Sequence, residues 1–366
     1  MSAVNRKGIS IIFNQFRLFG KVTNSDVATS ARFKSVKAAV LREFKENLDI
    51  KEIPLKKLRK NEVRVKVSYC SLNQSDLLMC KGEYDFTPKL PFVPGHEISG
   101  EIIEVGSEAT KEGFTNGQKV VGLSKDDYGG LAQQITLSAT DVWLLPQSIK
   151  LRKGCVLADA YATALLGLTR RGRLKEKQSV LVTAASGGLG LAAVDVAANV
   201  YRAKVIAVCA SEEQASLLRE RGAWAALTYD PKEVIKKVDE VTDGRGVDLV
   251  FDAVGGKVFE HVTKCVSHEG TVILAGFASR TVQQVATGIL LPCSMSLVGI
   301  SLGSYRKADL EIYRTTVQDA IDMCEQGLTA PAISKIFPLA DVNSAFEYME
   351  GHETTGKVVV QLKDED

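Results

Sequence analysis

The sequence predicts an α/β chain: a doubly wound parallel sheet set within a β-rich portion drawn from both ends. Three observations carry this. Residues 179–196 read as a strand, a glycine-rich turn and a helix start. From about 160 to 300, strand and helix patterns alternate, which means a parallel sheet with helices on both faces. From 36 to about 157 the pattern is strand after strand, and the C-terminal stretch returns to it.

The chain of 366 residues has room for about two domains. With 45% apolar and 25% charged residues its composition is that of an ordinary globular protein. A net charge of +2 argues for neither a nucleic-acid nor a membrane partner, and no run approaches the roughly 18 apolar residues of a membrane span. Cys70, Cys80, Cys155, Cys209, Cys265, Cys293 and Cys324 are odd in number, widely spaced and without a C-x-x-C. They fit a reducing compartment and read as small buried apolar residues.

Residues 1–35 differ from the rest. Arg6, Lys7, Arg17, Lys21, Arg32 and Lys34 face one acid, Asp26, among serines, threonines and apolar residues. Such a composition describes a mitochondrial transit peptide, with the mature chain starting near Phe33 to Val36 in the matrix. The other reading is a basic tail on a cytoplasmic protein.

The globular pattern begins at Val36-Lys37-Ala38-Ala39-Val40. Glu62–Val67 alternates strictly, as a half-buried strand does. Ile98–Gly106 and Gln118–Gly122 are strands with glycines at bends, and Pro88, Pro91 and Pro94 mark an irregular loop before them. Further strands are expected at Val180–Thr183, Val205–Val208, Val247–Asp252, Thr271–Ala275 and Leu297–Ile300. Helices are expected at Glu213–Arg221, Pro231–Val241 and Lys257–Val266. A helix at Val342–Glu350 and a strand at Lys357–Leu362, pairing back with the first portion, complete the order.

The stretch Ala185-Ser186-Gly187-Gly188-Leu189-Gly190 carries the chemistry. It departs from G-x-G-x-x-G only in placing Ala185 at the first glycine. Its position between strand and helix makes it a pyrophosphate corner: glycines admit the phosphates, and the helix N-terminus offers free N–H groups. An NAD-preferring site carries an acid about 20 residues on, at the tip of the second strand. Here that tip is Val208-Cys209-Ala210-Ser211, which favours NADPH over NADH. Ser211 either donates to the 2′-phosphate or opens the next helix in the capping box Ser211-Glu212-Glu213-Gln214; both roles are compatible. Asp252, Val254, Gly276 and Phe277 lie at strand C-termini, where open α/β sheets bind ligands.

Several motifs together resemble one family. They are Leu72-Asn73-Gln74-Ser75-Asp76, Pro91–Gly100 with Gly95-His96-Glu97, Tyr128–Ala132, Ala184–Gly190, Val247–Gly256 and Thr355–Val359. The combination is similar to the zinc-free quinone oxidoreductase branch of the medium-chain dehydrogenase/reductase superfamily. The resemblance implies a GroES-like catalytic domain from 36–160 and 302–366, a Rossmann domain from 161–301, and a cleft between them. It implies homodimers joined through the last Rossmann strand, near Leu297–Ser301. It places Thr163, Asp252, Val254, Gly276 and Phe277 by the nicotinamide, Tyr229 at the adenosine, and Lys357 near the cofactor. The family usually has a lysine for the 2′-phosphate where this chain has Gln214, which counts against NADPH.

Zinc-dependent relatives use a cysteine in the first loop, a histidine in Gly-His-Glu, and a further cysteine or acid. This chain has Asn73, His96 and, near the third position, Asp159. Catalytic zinc needs three suitable ligands, and no cysteine lies between Cys80 and Cys155 for a structural site, so no zinc is expected. Without a metal, hydride delivery rests on positioning and hydrogen-bond donors. An electron-poor quinone, enone or enal suits that best. Asn73 and Asp76, carried by the resemblance, are the candidate catalytic groups, with Tyr84 and Tyr128 as weaker options. Asn73 also reads as a turn residue, and Asp76 as an orienting acid at a helix start. Two rivals stay open: an NADPH-binding sensor, scaffold or RNA-associated protein with little catalysis, and a zinc alcohol dehydrogenase.

Overall fold

The computed structural model describes residues 35–84, 86–351 and 354–363. The basic segment read as a transit peptide lies outside them.

The chain enters through a hairpin, β1 (Ser35–Val40) and β2 (Asp49–Pro54), paired antiparallel. β3 (Glu62–Ser71) is the long central strand, and its alternation buries Val63, Val65 and Val67. Arg64 is buried too. It donates to Glu104, Thr136 and the Lys56 carbonyl, so its charge is paired. α1 (Gln74–Lys81) opens where Asp76 accepts the Asn73 backbone N–H at 2.9 Å. The three prolines run through a segment without helix or strand, as expected, up to β4 (Glu97–Val105). β5 (Lys119–Leu123), β6 (Gln134–Ser138) and β7 (Val142–Leu144) follow.

After α2 (Leu151–Gly154), α3 (Ala158–Leu165) carries Asp159, Tyr161 and Thr163. The alternating part follows, with one strand, β10, that was not expected: β8 (Ser179–Val182), α4 (Gly188–Asp195), β9 (Lys204–Cys209), α5 (Glu212–Glu220), β10 (Ala225–Thr228), α6 (Pro231–Thr242), β11 (Val247–Asp252), α7 (Gly256–Val262), β12 (Val266–Leu274) and β13 (Ser296–Gly299). These six strands form one parallel sheet in the order β10-β9-β8-β11-β12-β13. Counted from its first strand, the sheet runs 3-2-1-4-5-6. The order reverses between β8 and β11, and ligands bind at such a point, beyond the strand C-termini. Two boundaries differ from expectation around Val266: β12 begins there rather than at Thr271. The helix expected to reach Val266 stops at Val262, because Val266 already pairs with Val247 in the sheet.

α8 (Leu302–Ala308) and α9 (Leu310–Glu325) come next. Tyr313, Val317, Ala320 and Ile321 form one buried stripe of α9 in the same core as Val180, Ala192 and Val205. The same cluster takes in Trp143 and Leu145 of the first portion, so α9 packs against both portions. β14 (Ile333–Pro338), α10 (Val342–Glu350) and β15 (Lys357–Gln361) return to the first portion. There β15 pairs antiparallel with β3, in a sheet ordered β14-β15-β3-β4-β5-β7 with β6 also on β3. All seven cysteines are free; Cys70, Cys155, Cys209 and Cys265 are buried, and burial raises their thiol pKa values. No described helix is long and apolar enough to cross a membrane.

Candidate functional site

The glycine turn connects β8 to α4 at the switch point. The left-handed residue is Ala184 (φ 44°), one before the presumed first glycine; Ala185 is buried, its N–H bonded to the Val208 carbonyl at 2.9 Å. Gly190 packs on the backbone of Ala184 and Ala185, so any Cβ there would collide with main chain. Gly187 caps α4 without a side chain, and the first turn of α4 has no acid. By contrast, Ser211 caps α5 and Asp230 caps α6. The first N–H groups of α4 therefore keep their capacity for an anion. Ser186, Gly187, Gly188 and Leu189 present this end, and a dinucleotide pyrophosphate fits it.

The C-terminal strand is fastened to the same turn. Gly356 donates its N–H to the Ser186 carbonyl at 2.7 Å, and Gly187 and Gly356 form a parallel bridge. The next residue, Lys357, lays its aliphatic stem over Gly188, where a Cβ would meet Lys357 Cγ at 3.0 Å and Cδ closer still. From there its ammonium enters a buried polar cluster.

That cluster holds Asn73 and Asp76 from the first loop and α1, His96 and Glu97 before and on β4, Lys125 after β5, Asp159 on α3, and Lys357 on β15. Glu97 is fully buried. Its Oε2 lies 3.0 Å from Lys357 Nζ, accepts from Ser71 Oγ and lies 3.4 Å from Asn73 Nδ2; its Oε1 accepts the Asp159 backbone N–H at 2.9 Å. Lys357 also donates to Asn73 Oδ1. Burial opposes its charge, but Glu97 and Asp159 outweigh that and raise its pKa.

His96 is 1% exposed. Its Nδ1 lies 3.5 Å from Asp76 Oδ1, and its Nε2 lies 3.0 Å from Asp159 Oδ2 and 3.1 Å from Lys125 Nζ. The neutral ring accepts from Lys125 at Nε2; the protonated ring donates to Asp159. Burial and the Lys125 charge oppose protonation, yet Asp76 and the bonds to Asp159 and Asp76 outweigh them, and the pKa is raised. Lys125 Nζ is also 2.6 Å from Asp159 Oδ1. Burial works against ionising Asp159, but Lys125 and His96 hold its carboxyl far below the usual range. Asp76 is buried and accepts the Asn73 and Gly95 backbone N–H groups, so it is an orienting acid. Tyr128 packs its ring edge-on to His96 at 5.8 Å, and burial first, then neighbouring Tyr84 and Asp76, raise its pKa. The phenol is therefore a poor acid here.

At the other end, Ser211 Oγ accepts the Gln214 N–H at 3.3 Å, while Gln214 Oε1 accepts from Ala210 N–H at 2.9 Å. The capping box is present but reaches one residue further back than expected. Gln214 is buried, with its side-chain carbonyl committed to that turn. The Tyr229 hydroxyl sits 2.7 Å from His261 Nδ1, a partner on α7 with no motif to announce it. Asp252 is buried and spends its carboxylate on Thr183 Oγ1 and the N–H groups of Val254 and Gly255, which locks the ends of β8 and β11 together. Val254, Gly276 and the exposed Phe277 follow at the strand ends, and Thr163 stands half-buried one turn along α3 from Asp159.

The residues at the three zinc positions do not suit that ion. Asn73 is engaged by Lys357 and Glu97, and the Lys125 ammonium already lies against both His96 and Asp159. A dication there would have to displace a cation and recruit an amide oxygen as its third ligand. Among the described residues no group of three or more His, Cys, Asp or Glu is arranged to hold a metal. Lys125 and His261 were not foreseen. A lone lysine after a strand carries no sequence signal, and only the fold brings it to Asp159.

Comparison with known proteins agrees with this architecture. Residues 59–147 match the alcohol dehydrogenase GroES-like domain and residues 188–325 the zinc-binding dehydrogenase family. A quinone oxidoreductase-like protein 2 homolog of Nematostella vectensis is 40% identical over 332 residues, 90% of each chain. Quinone oxidoreductase-like protein 2 of Rattus norvegicus is 34% identical over 336 residues, 92% of this chain and 95% of its own. A mycobacterial structure in complex with NADPH superposes with a TM-score of 0.83 at 27% identity, covering 89% of this chain and 100% of that one. With two domain families in this order and such relatives along nearly its whole length, the chain belongs to the medium-chain dehydrogenase/reductase superfamily of oxidoreductases, beside the quinone oxidoreductase-like proteins.

Proposed function

We propose that this protein transfers hydride from NADPH to a quinone or an activated C=C bond, an enone or enal, without a metal ion. One observation carries the reading: the contact of Gly188 with Lys357 joins the pyrophosphate corner directly to the polar cluster. A dinucleotide seated on α4 then runs toward Asn73, His96 and Asp159. The nicotinamide, when bound, supplies the hydride. The first turn of α4 binds the pyrophosphate, Lys357 fixes the depth of the corner, and Thr163, Val254 and Gly276 flank the ring. Asn73, Lys125 and Tyr128 border the place left for the acceptor.

The absence of an acid at the tip of β9 and the mycobacterial relative bound to NADPH support that cofactor over NADH. The quinone oxidoreductase-like names of the relatives support the acceptor class. We place the protein in the mitochondrial matrix on the composition of residues 1–35. We expect a homodimer through β13, which is an edge strand of its sheet. The test is a screen of the full chain against quinones, 2-alkenals and alcohols with each nucleotide, with metal content measured on the same sample. NADPH oxidation by quinones or enals in metal-free protein is expected. Tighter NADH binding, stoichiometric zinc, or cofactor binding with no turnover of any acceptor would each overturn its part of the reading.

A further inference from the structure

The polar cluster contains two ammonium groups with different surroundings. Lys357 has an 8% exposed side chain and is committed to Glu97 and Asn73. The Lys125 side chain is 18% exposed, and its partner Asp159 16%. Lys125 is therefore the cation that a small molecule reaches. An ammonium has three N–H donors. Asp159 at 2.6 Å and His96 at 3.1 Å engage it, and no other described residue pairs with it, so an N–H remains for an incoming oxygen. Behind it, Asp76 orients the His96 ring and Glu97 fixes the Asp159 backbone. The ammonium is thus held from two sides by groups that are themselves held. Asp159 and Thr163 lie one turn apart on α3, so the same helix face leads from this ammonium into the cleft.

We propose that Lys125 is the electrophilic catalytic residue of this cleft, its ammonium donating a charge-assisted hydrogen bond to the acceptor carbonyl or quinone oxygen. This rests on the hydride-transfer reading above. The acceptor gains hydride at its conjugated carbon, the two electrons coming from the reduced nicotinamide. Its C=C pair shifts to form the enolate double bond, and the carbonyl π pair moves to oxygen. That oxyanion is what Lys125 meets, in a partly desolvated place where a fixed cation is far more effective than in water. Lys125 keeps its proton; water then protonates the α-carbon, or the quinol oxygen, and hydroxide leaves to solvent. A metal ion would fill the same role, and the ammonium occupies the place where His96 and Asp159 would hold one. Asp159 and His96 act through Lys125 and are positioning residues.

The test uses the full chain saturated with NADPH, in two arms. The first needs no turnover. 4-Nitrophenol is coloured only when ionised, and its anion offers an oxyanion to the cleft. The wild type is expected to bind it as the phenolate below its solution pKa. Lys125→Met should bind it at least about tenfold more weakly and lose the phenolate band. The second arm is turnover of 2-alkenals. Lys125→Met should lower kcat by about 10²–10³-fold with NADPH affinity unchanged. Lys125→Arg should retain part of the rate, and methylammonium should restore part of it to Lys125→Ala. Matching circular dichroism and NADPH affinity exclude misfolding. If the wild type reduces enals and Lys125→Met does so equally fast with the phenolate band intact, the role of Lys125 is refuted while hydride transfer stands. If the wild type reduces no acceptor, the hydride reading fails. The phenolate arm then decides alone: a band lost in Lys125→Met supports oxyanion binding, and a band retained, or absent from the wild type, overturns it.

Discussion

Replacing Gly190 by alanine tests the glycine corner most directly. The new Cβ would lie 2.7 Å from Ala184 C and 2.8 Å from Ala185 Cα, with Ala184 O closer still. Ordinary contact begins at 3.4 Å, so these are about 0.6–0.7 Å too short, and every atom involved is backbone. No side chain can swing aside; the turn or α4 must move. Overpacking of this kind costs roughly 1–3 kcal/mol. If the free chain keeps the native turn, the cost appears as a lower Tm, about 2 °C or more per kcal/mol in a domain of this size. If the turn relaxes, binding must restore it, and NADPH affinity falls instead by about 5–150-fold. Thermal melts without cofactor, paired with fluorescence titration of NADPH, capture both. Gly188→Ala is the comparison, because its Cβ meets only the Lys357 stem, which is a side chain. It should leave the turn intact but disturb the polar cluster. An alanine at 190 that changes neither Tm nor affinity would refute the account of the corner.

Lys357→Met would strand Glu97 as a buried carboxylate without its cation. A loss of about 3–5 kcal/mol in urea melts is expected, with partial recovery on adding Glu97→Gln. His96 carries a pH signature. Its pKa is raised from 6.5, so its contribution is complete below 6.5 and fades as pH rises through the folded value. Asp159, depressed from 3.8, contributes above 3.8 and loses that as pH falls through its folded value. The Tm advantage of wild type over His96→Gln should therefore be greater near about pH 5 than at about pH 9, and the reverse slope would contradict the raised pKa. At the adenosine end, Tyr229→Phe removes the hydroxyl bonded to His261 and should weaken NADPH and NADH alike, measured by paired titrations. Ser211→Ala should cost about 1 kcal/mol of stability as a lost helix cap, read in a melt.

Much of this was legible in the sequence, for physical reasons. The strict alternation of Glu62–Val67 and the apolar runs before the glycine turn are direct consequences of which faces are buried. Five strands of the six-stranded sheet follow from strand and helix patterns taken in turn; the short β10 was not read. Local pattern failed where partners are distant. Val266 reads as the end of a helix, and only its pairing with Val247 makes it strand. The apolar stripe of residues 310–325 packs into a core shared by the parallel sheet and by Trp143 and Leu145, a pairing that no local pattern announces. In the site, Asn73, Asp76 and Lys357 were foreseen as near the chemistry, but not that Lys357 and Asn73 bond across 284 residues. Gln214 was noted at the cofactor as standing where the family has a phosphate-binding lysine, but not that its side-chain carbonyl accepts the Ala210 N–H. Lys125 left no trace, because its importance lies wholly in what α3 and β4 bring beside it.

The bridge between Gly187 and Gly356 also orders events in time. A ribosome emits the glycine turn long before it emits β15. Until then the corner lacks its Ser186–Gly356 bond, and Glu97 lacks the ammonium of Lys357. At that stage all six strands of the parallel sheet have been made, while the pocket still lacks β15 and Glu97 its cation. The Ser186–Gly356 bond and the Lys357 ammonium arrive only with β15, the strand that also pairs with β3 in the other sheet. A chain cut short before that strand would keep its larger core and have no completed site.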